Sequence, residues 1–423
     1  MKVNITDSLK IESEIPFAFV EEFHFEWEPN RHALFCLKGY MDFGERYDAK
    51  KAYGSKVKVW LEKGEKDQIL FFGYLLRAEV IADGNTKQVR LQAVSGSCRL
   101  DQQEKSQSFQ NVGESYAQII KRVAENDGGK IICMAGTEKE IERPIIRYEE
   151  TAWELGKRLA SHLGTCVLAD IGTGGKKIWF GLRAGREISD FSEDEFTIER
   201  RRNVHTGKME TSYEVESRKF HKVGDKAVFC GRETVIWKVE ASFTRGELIF
   251  RYLLREKCGC EMIYQDKFTG LGLSGTVLQT KQEQVRIALD IDGGESTGGY
   301  FYNYYPETGN ALYAMPEAGV RILLYFGSRD EREGFAVHCM PKATKRDWDY
   351  EDRYFDTKEN NSTHLYRHEI DFSHKGGKNV RLSNSVVSAG SSGKLSISAQ
   401  TGVKFDAKRI VVHTPEELNI CQG

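Results

Sequence analysis

Apolar and polar residues alternate along the first hundred residues of the chain. The segments KVKVWLEKG (56–64), QILFFGYLLRAEVI (68–81) and KQVRLQAVSG (87–96) carry this pattern, which is typical of strands with one buried face. Between them lie KGEKD and ADGNT, whose composition is that of turns. Because successive strands joined by short turns form antiparallel sheets or barrels, we predict a first β-barrel unit over residues 1–100.

The pattern changes its period in residues 101–174, where two amphipathic helices are predicted. In GESYAQIIKRVAEND (113–127) the apolar residues recur at i, i+3, i+4, i+7 and i+8. A second helix is predicted over 151–163, where Thr151 and Glu154 form a T-x-x-E capping box and leucines form a stripe. A glycine follows each run and ends it. We interpret both helices as packing elements of an α/β segment.

Alternation resumes after this segment and predicts a second β-barrel unit over 175–265. A new unit starts in FTGLGLSGTVLQTKQEQVRIALDI (268–291), where two strands flank a short charged turn. Pro316 and Gly319 suit a tight turn ahead of the apolar stretch VRILLYF. With the later stretch GFAVHCM these segments give about five strands in about 75 residues, which suggests a small Greek-key barrel of the OB type over 266–343.

The last segment, 344–423, ends in a short β-like repeat. Apolar residues alternate in KLSISAQ and again in GVKFDAK, and looser alternation continues to residue 420. Such spacing resembles the rungs of a β-helix or β-prism, but so short a repeat has too few neighbours to bury a core alone. We predict a linker and a tail that three chains build around one axis; the alternative is a small sheet folded onto the barrel. The whole chain is then mainly β with a minor α/β part.

Composition limits the partners of the protein. The 423 residues carry a net charge of −2, so no global field favours nucleic acid or an anionic membrane. The basic run ERRRNVHTGK (199–208) is interpreted as a solvated loop or interface patch rather than a nucleic-acid site, because no aromatic residues interleave with its arginines. The first twenty residues lack the apolar region of a secretory signal, and ILFFGYLL (69–76) is too short to span a bilayer.

The nine cysteines are dispersed along the chain. An odd, scattered set fits the reduced thiols of a cytoplasmic protein better than a disulfide framework. The close pair Cys258-Gly-Cys260 lacks the second pair of ligands that a structural zinc site requires. We expect no metal there.

Two glycine-containing patterns fall short of known ligand-binding motifs. In DIDGGE, Asp290 and Asp292 begin like a calcium loop, but Phe301 stands at the twelfth position, where an EF-hand needs a bidentate acid. In GTGGKK, Asp170 stands at the first glycine position of a P-loop and a lysine replaces its hydroxyl residue. The second pattern is therefore predicted to be a hairpin turn.

The segment HLYRHEIDFSH (364–374) is the strongest metal candidate. His364 and His368 are four residues apart, and Glu369 and His374 are near. The order is not HExxH, and its flanks resemble loops, where this spacing does not by itself bring two ligands together. We predict a structural or solvated role; the alternative is a metal site at the tail tip. No GxSxG or cysteine–histidine nucleophile signature occurs, so we predict no catalytic, cofactor-binding or metal residues and no enzymatic activity.

Three segments carry a family resemblance. SFQNVGESYAQIIKRVA (108–124) is similar to an F-x-N-x-[ST] lead into a helix, and YEETAWELGKRLASHLG (148–164) to a Y-x-E-S-x-x-x-F-L-x-R-L helix. MPEAGVRILLYFGSRDE (315–331) resembles a P-E-x-G-x-x-V-x-V-x-F strand opening. In this order they resemble the VgrG-like hub-and-spike proteins of contractile injection machines: type VI secretion systems, contractile phage tails, R-type bacteriocins and extracellular injection systems.

The resemblance implies a homotrimer in which the two β-barrel units of each chain form a pseudo-sixfold ring, matching a hexameric inner tube protein and contacting baseplate proteins. Such a hub joins the tube to a membrane-puncturing tip. It is assembled in the bacterial cytoplasm without a signal peptide and is carried toward the target envelope or the extracellular space when the sheath contracts. Since the tail is short and lacks a histidine-rich tip, the resemblance implies a separate PAAR-like tip protein, with any effector cargo on another chain and no nucleic acid as a partner.

A function of a different class is kept as the alternative. A β-rich tail-associated protein could recognise a receptor or a surface glycan, with the aromatic residues of YFYNYY (300–305) as a sugar platform. A wall-degrading enzyme would need an inserted catalytic domain, for which the pattern leaves no segment.

Overall fold

The structure of the chain, a computed structural model, describes most of its residues. The described residues are 2–6, 8–42, 44–45, 52–62, 67–202, 207, 209–256, 259–293, 299–307, 314–340 and 349–420. The chain divides into two compact units, Met1–Lys342 and Ala343–Gly423. We refer to them as the larger unit and the smaller unit.

The larger unit consists mainly of strands. Its two described α-helices are α1 (Tyr116–Asn126) and α2 (Ala152–His162). Its described strands are β1 (Lys2–Asn4), β2 (Leu9–Glu12), β3 (Phe19–Trp27), β4 (Leu34–Met41), β5 (Lys56–Leu61), β6 (Gln68–Asp83), β7 (Thr86–Ser95), β8 (Lys105–Phe109), β9 (Lys130–Cys133), β10 (Ile145–Glu150), β11 (Val167–Ala169), β12 (Lys177–Phe180), β13 (Glu187–Ile188), β14 (Phe196–Arg202), β15 (Met209–Ser217), β16 (Lys226–Phe229), β17 (Arg232–Thr244), β18 (Glu247–Arg255), β19 (Leu271–Lys281), β20 (Gln284–Leu289), β21 (Phe301–Asn303), β22 (Arg321–Phe326) and β23 (Phe335–Met340). The predicted class, mainly β with a small helical part, is confirmed.

Thirteen of the described strands form one sheet. Its order is β1-β2-β5-β6-β7-β4-β3-β17-β18-β15-β14, and β16 pairs with β13 and β17. Strands β3 and β17 pair in the register from Trp27–Val239 to Glu22–Thr244. The segments 1–100 and 175–265 are therefore joined through one sheet. They also share one core, whose large buried side chains include Trp27, Phe25, Phe35, Phe71, Phe229, Phe250 and Tyr252.

The strands predicted in the first hundred residues are confirmed. The segments 56–64, 68–81 and 87–96 correspond to β5, β6 and β7. The predicted turn ADGNT is a tight connection, in which Asp83 pairs with Thr86 and the intervening glycine has a φ of +56°. Most of the other predicted turn, KGEKD, lies outside the described residues.

Both predicted helices are present, and both begin at a capping box. In α2 the Thr151 hydroxyl accepts from the Glu154 backbone N–H over 3.1 Å, and the Glu154 carboxylate accepts from the Thr151 N–H over 3.0 Å. Ser115 and Gln118 make the equivalent pair in α1. Gly164 follows α2 with a φ of +65°, a conformation that glycine adopts without strain. The apolar sides of both helices share a core with the three-stranded sheet β11-β12-β9. No helix in the described part of the chain is both long and apolar enough to cross a membrane.

Strands β19 to β23 form a second sheet in the order β21-β20-β19-β22-β23. Its outer strands meet at a parallel bridge between Tyr304 and Ala336, so the sheet closes on itself. We call β19 to β23 the closed sheet. The turn predicted before β22 is present, because Gly319 has a φ of +87° and the Val320 N–H donates to the Glu317 carbonyl. The interior contains Phe268, Leu273, Val277, Val285, Ile287, Leu289, Tyr302, Ile322, Leu324 and Phe326.

The smaller unit contains an antiparallel sheet, in which each strand pairs with the next along the chain. We call it the terminal sheet. Its strands are β24 (Arg353–Asp356), β25 (Ser362–Tyr366), β26 (Glu369–His374), β27 (Lys378–Ser383) and β28 (Val387–Ser391).

No strand is formed in the described residues 392–420. The strands predicted in KLSISAQ and GVKFDAK are thus absent from the single chain. That three chains together form them stays a prediction. The physical reason is that an alternating segment becomes a strand only where another backbone edge pairs with it and another surface covers its apolar side. These residues have neither in the single chain.

Candidate functional site

The terminal sheet has one apolar face. Its registers place Phe355, Thr363, Phe372, Val380 and Ala389 in one cross-strand row. Residues two positions along a strand point to the same side, so a second row on that side contains Leu365, Ile370, Leu382 and Val387, with Arg353 at its end opposite Leu365. We call the nine residues other than Arg353 the apolar face.

Most of the apolar face is exposed in the single chain. The exposed fraction is 45% for Phe355 and Phe372, 43% for Val380 and 75% for Val387. Burying such a side chain contributes about 1.5–3 kcal/mol, and contiguous exposed apolar surface of this kind marks an interaction site. The apolar face is therefore the strongest candidate interaction surface of the smaller unit.

The opposite face of the terminal sheet is polar. One of its rows contains Tyr354, His364, Asp371, Arg381 and Ser388. On this face the His364 Nε2 lies 2.7 Å from a carboxylate oxygen of the neighbouring aspartate on β24, and its Nδ1 lies 2.9 Å from a tyrosine hydroxyl. Because the two faces differ in this way, the polar face can remain in water, whereas the apolar face is stabilised by contact with another apolar surface.

The histidines of the metal candidate do not converge. His364 lies within β25, His368 lies in the turn between β25 and β26, and His374 lies at the far end of the same hairpin. The His374 Nδ1 accepts from the Gly376 N–H over 3.0 Å. Within the described residues, no group of three histidine, cysteine or acidic side chains is arranged to hold a metal ion.

Exposed apolar side chains continue beyond β28. Eight of them lie at the positions where alternation predicted rungs, and their exposed fractions run from 48% to 89%. The smaller unit thus exposes apolar side chains both on the apolar face and along this segment. These eight residues are Leu395, Ile397, Val403, Phe405, Ile410, Val412, Leu418 and Ile420.

The larger unit contains a buried ion cluster of Arg158, Glu150 and Glu331. Arg158 in α2 donates from Nε and Nη2 to the Glu150 carboxylate over 2.9 and 2.8 Å, and from Nη1 to Glu331. Its Nη2 also donates to the Ile146 carbonyl over 2.9 Å. Burial opposes the charged form, but the two carboxylates outweigh it and raise the pKa of Arg158. Because Glu331 lies in the connection between β22 and β23, the cluster joins the helical segment to the closed sheet.

A second set of bonds crosses the same junction. The Asp292 carboxylate accepts from the Ser108 N–H over 2.6 Å and from the Ser108 hydroxyl over 2.5 Å. Asp290, the other acid of DIDGGE, pairs with Arg321, which lowers the pKa of Asp290 against a smaller opposing effect of burial. The two acids therefore bind protein groups in this structure.

His162 lies at the end of α2, close to the ion cluster. Burial and the positive charges of Arg158 and Arg332 lower the pKa of His162 to about 4. Its Nδ1 is buried and makes no hydrogen bond. The ring is therefore neutral at neutral pH, and a proton on it would be unfavourable in the folded state.

The aromatic cluster of the predicted sugar platform lies mostly within the closed sheet. Tyr302 and Tyr304 are 3% and 8% exposed and belong to its core. The Tyr300 hydroxyl accepts from Arg143 over 2.7 Å. Tyr305 is exposed, but its ring packs edge-on against Phe335 with 5.1 Å between the centroids. These rings do not form an open stacking surface.

The remaining sequence candidates are structural elements. Residues 199–202 of the basic run belong to the outer strand β14 and not to a loop, because they pair with β15. They are exposed, and the predicted interface patch stays a prediction; residues 203–206 and 208 of the run lie outside the described residues. The glycine-rich GTGGKK forms the turn between β11 and β12, as predicted. There the Asp170 carboxylate accepts from the Thr173 N–H over 2.9 Å and lies 3.5 Å from the Lys177 ammonium.

Sequence reasoning missed Arg158 and Glu331. One signal for Arg158 was present. It follows Leu155 by three positions and precedes Leu159 by one, so this charged residue lies on the same side of the helix as the leucine stripe. No comparable signal marks Glu331, which lies in a short 3₁₀ turn.

Comparison with solved structures shows the fold. The c3393 protein of E. coli, a component of the type VI secretion system with structural similarity to the T4 bacteriophage tail proteins gp27 and gp5, is similar with a TM-score of 0.56 and 12% sequence identity. The likeness covers 78% of this chain and 98% of that one. A chain of the lidless PdpA–VgrG complex is similar with a TM-score of 0.55 and 8% identity, over 88% of this chain and 93% of that one.

No protein-family model and no curated protein sequence matches the chain. At 8–12% identity the structural likeness establishes the fold. The chain has the fold of VgrG-like tail and type VI secretion proteins, and the resemblance predicted from its three sequence segments is confirmed.

Proposed function

We propose that this protein is the structural hub and spike of a contractile injection machine. In this role it joins the hexameric inner tube protein and the baseplate proteins to the membrane-puncturing tip. It is assembled in the bacterial cytoplasm and is carried out toward the target when the sheath contracts. The shared fold with a type VI secretion component and with a chain of the PdpA–VgrG complex supports this proposal.

The observation that carries the proposal is the exposed apolar face of the terminal sheet. Burying the exposed parts of its nine residues would contribute on the order of 10 kcal/mol per chain. The eight exposed apolar residues between 395 and 420 would add to this gain. Because a single chain does not cover either surface, we propose that copies of the same chain cover them as a homotrimer around one axis.

The arrangement of the larger unit fits three copies. Each chain contributes two β-rich segments, 1–100 and 175–265, which are joined through the pairing of β3 with β17. Three chains would supply six such segments, which suits a ring facing a hexameric tube. We keep the division into 1–100, 101–174, 175–265, 266–343 and 344–423, with two hub barrel units, as part of this proposal.

We also propose that residues 266–343 form an OB-type barrel. In this fold five strands close through a parallel contact between the third strand and the fifth. The order β21-β20-β19-β22-β23 and the parallel Tyr304–Ala336 bridge support this assignment. The barrel would connect the hub to the tail, where the strands predicted at 395–420 would form once three chains pair.

The proposed role is mechanical rather than enzymatic. A separate PAAR-like protein would complete the tip, and effector cargo would travel on another chain. The alternative, a receptor- or glycan-binding tail protein, loses support because the aromatic rings proposed for sugar stacking are packed in the closed sheet or against Phe335.

The mass of the purified chain in solution, measured by light scattering, tests the proposal. A trimer of about 145 kDa, three times 48.2 kDa, is expected. Val387→Glu places a charge on the apolar face and should give a monomer. Ser388→Glu adds the same charge to the next residue, on the polar face, and should leave the trimer intact. A wild-type monomer with protease-resistant residues 379–420 would refute the trimer and favour the glycan-binding alternative.

A further inference from the structure

Two cysteines that are distant in sequence meet in the larger unit. Cys166 directly precedes β11 and is 1% exposed. Cys260 is half-buried and lies in the connection that leads from β18 to the closed sheet. Bonds from Cys260 to Gly164 and to Asn30, which in turn binds Val167, hold Cys260 beside Cys166. The two thiols are reduced and adjacent in this structure.

Four hydrogen bonds hold Cys260 beside the chain around Cys166. The Asn30 carboxamide donates from Nδ2 to the Cys260 sulfur over 3.5 Å and accepts from the Val167 N–H over 3.0 Å. The Asn30 N–H also donates to the Val167 carbonyl over 2.8 Å, and the Cys260 N–H donates to the Gly164 carbonyl over 3.3 Å. Both the backbone and the sulfur of Cys260 are thus held against the residues on either side of Cys166.

The two thiols differ in accessibility and acidity. The hydrogen bond from Cys166 lowers the pKa of Cys260 to about 7, with help from Asn30 and Arg255 and against the effect of burial. A thiol of this kind is partly thiolate at neutral pH, and the thiolate is the nucleophile in disulfide exchange. Cys260 is therefore suited to react first with an external disulfide, and the buried Cys166 is suited to react second.

We propose that Cys166 and Cys260 form a reversible disulfide when the protein meets a low-molecular-weight disulfide. The Cys260 thiolate attacks one sulfur of that reagent, so a mixed disulfide forms and one thiolate leaves. The sulfur of Cys166 then attacks the Cys260 sulfur, its proton goes to solvent, and the second thiolate leaves. Two protein thiols are oxidised to one disulfide, and one reagent disulfide is reduced to two thiols.

The crosslink would act on the connection between the two sheets of the larger unit. Strand β18 of the large sheet ends at Arg255, and β19 of the closed sheet begins at Leu271. A bond from residue 260 to residue 166 would attach this connection covalently to the helical segment. Reducing compartments keep such a pair open and oxidising surroundings close it, so the bond would form after the protein leaves the cytoplasm. The chemistry itself does not depend on the proposed function.

The test is peptide mapping of the full chain after incubation with oxidised glutathione. Native protein is oxidised, unfolded, alkylated without reduction and digested with trypsin. A crosslinked pair of peptides, 159–176 and 258–267, is expected. Dithiothreitol should separate them. Because the second peptide also contains Cys258, which lies outside the described residues, the matched variants Cys258→Ser and Cys260→Ser decide which cysteine reacts.

The proposal requires the crosslink in the wild type and in Cys258→Ser, and its loss in Cys260→Ser. It is overturned if Cys166 is fully alkylated after oxidation, or if Cys258→Ser abolishes the crosslink while Cys260→Ser retains it. Cys36→Ser, which changes an exposed thiol on β4, should leave the crosslink unchanged. The circular dichroism spectrum of each variant is compared with the wild type. If Cys260→Ser does not fold, Cys258→Ser decides, because Cys260 is then the one cysteine left in the second peptide: a crosslink supports the proposal and its absence overturns it.

Discussion

The Arg158 guanidinium donates to the Glu331 carboxylate across the junction between helix α2 and the closed sheet, and each of the two side chains is 1% exposed. Glu150 accepts from the same guanidinium. Together with the Asp292–Ser108 bonds, this contact connects the helical segment to the closed sheet by charged groups excluded from water. In the proposed hub role, such a junction would keep the two parts aligned under load.

Replacing Arg158 by methionine should destabilise the larger unit by about 3–5 kcal/mol, because two buried carboxylates lose their cation. Denaturant unfolding of the full chain measures the loss. Arg122→Met is the matched control, since Arg122 on α1 makes a partly exposed pair with Glu114, which precedes that helix. This change should cost less than about 1 kcal/mol. Equal losses in the two variants would contradict the importance of the buried cluster.

The low pKa of His162 predicts a specific loss of stability in acid. The pKa is about 4 in the folded state and near 6.5 for an ordinary histidine, so the unfolded chain binds the proton more readily as the pH falls. Stability is unaffected by this group above pH 6.5 and is lost progressively below it, by about 2 kcal/mol at pH 5.

His162→Gln should remove this part of the pH dependence, which unfolding curves at pH 7 and pH 5 would measure. His368→Gln, a change of an exposed histidine in a turn of the terminal sheet, should retain the wild-type dependence. If the wild type and His162→Gln lose stability equally between the two pH values, His162 is not the group responsible.

Local signals in the sequence predicted local structure well. Thr151 and Glu154 identified the start of a helix, and Gly319 identified a turn, because in each case the partner residues lie within a few positions. The pairing of Trp27 with Val239 had no such signal, since either strand could pair with many others. For the same reason the Arg158–Glu331 contact, which brings together distant segments, was not predicted.

The tail shows a different limit. The alternation in KLSISAQ correctly indicated which residues need an apolar cover, and Leu395 and Ile397 are 57% and 67% exposed in the single chain. It also predicted strands there, and the single chain forms none in that stretch. Alternation of apolar and polar residues specifies which side chains lie on one side of an extended segment. It does not supply the neighbouring strand with which that segment must pair to form a sheet.

Gly319→Ala should destabilise the closed sheet by about 1–2 kcal/mol, because the φ of +87° at this position is unfavourable for any residue with a Cβ atom. Gly327→Ala, at the other end of β22, is the control: its added Cβ would meet only ordinary van der Waals contacts, so a change within about 0.5 kcal/mol is expected. Thermal unfolding distinguishes the two. A neutral Gly319→Ala would show that the turn relaxes without cost.

The tail residues allow association to be separated from folding of the single chain. Leu395→Asp combined with Ile397→Asp places two charges at exposed apolar positions, so the fold of the single chain should change by less than about 1 kcal/mol. In a trimer that buries these side chains, each chain would lose about 3–6 kcal/mol of association energy. Light scattering over a dilution series should therefore show dissociation at concentrations where the wild type stays trimeric.

Ser396→Asp with Ser398→Asp adds the same charge at the alternate positions and should leave association nearly unchanged. If both double variants weaken association equally, the loss reflects charge repulsion, and the alternating face is not what the three chains bury.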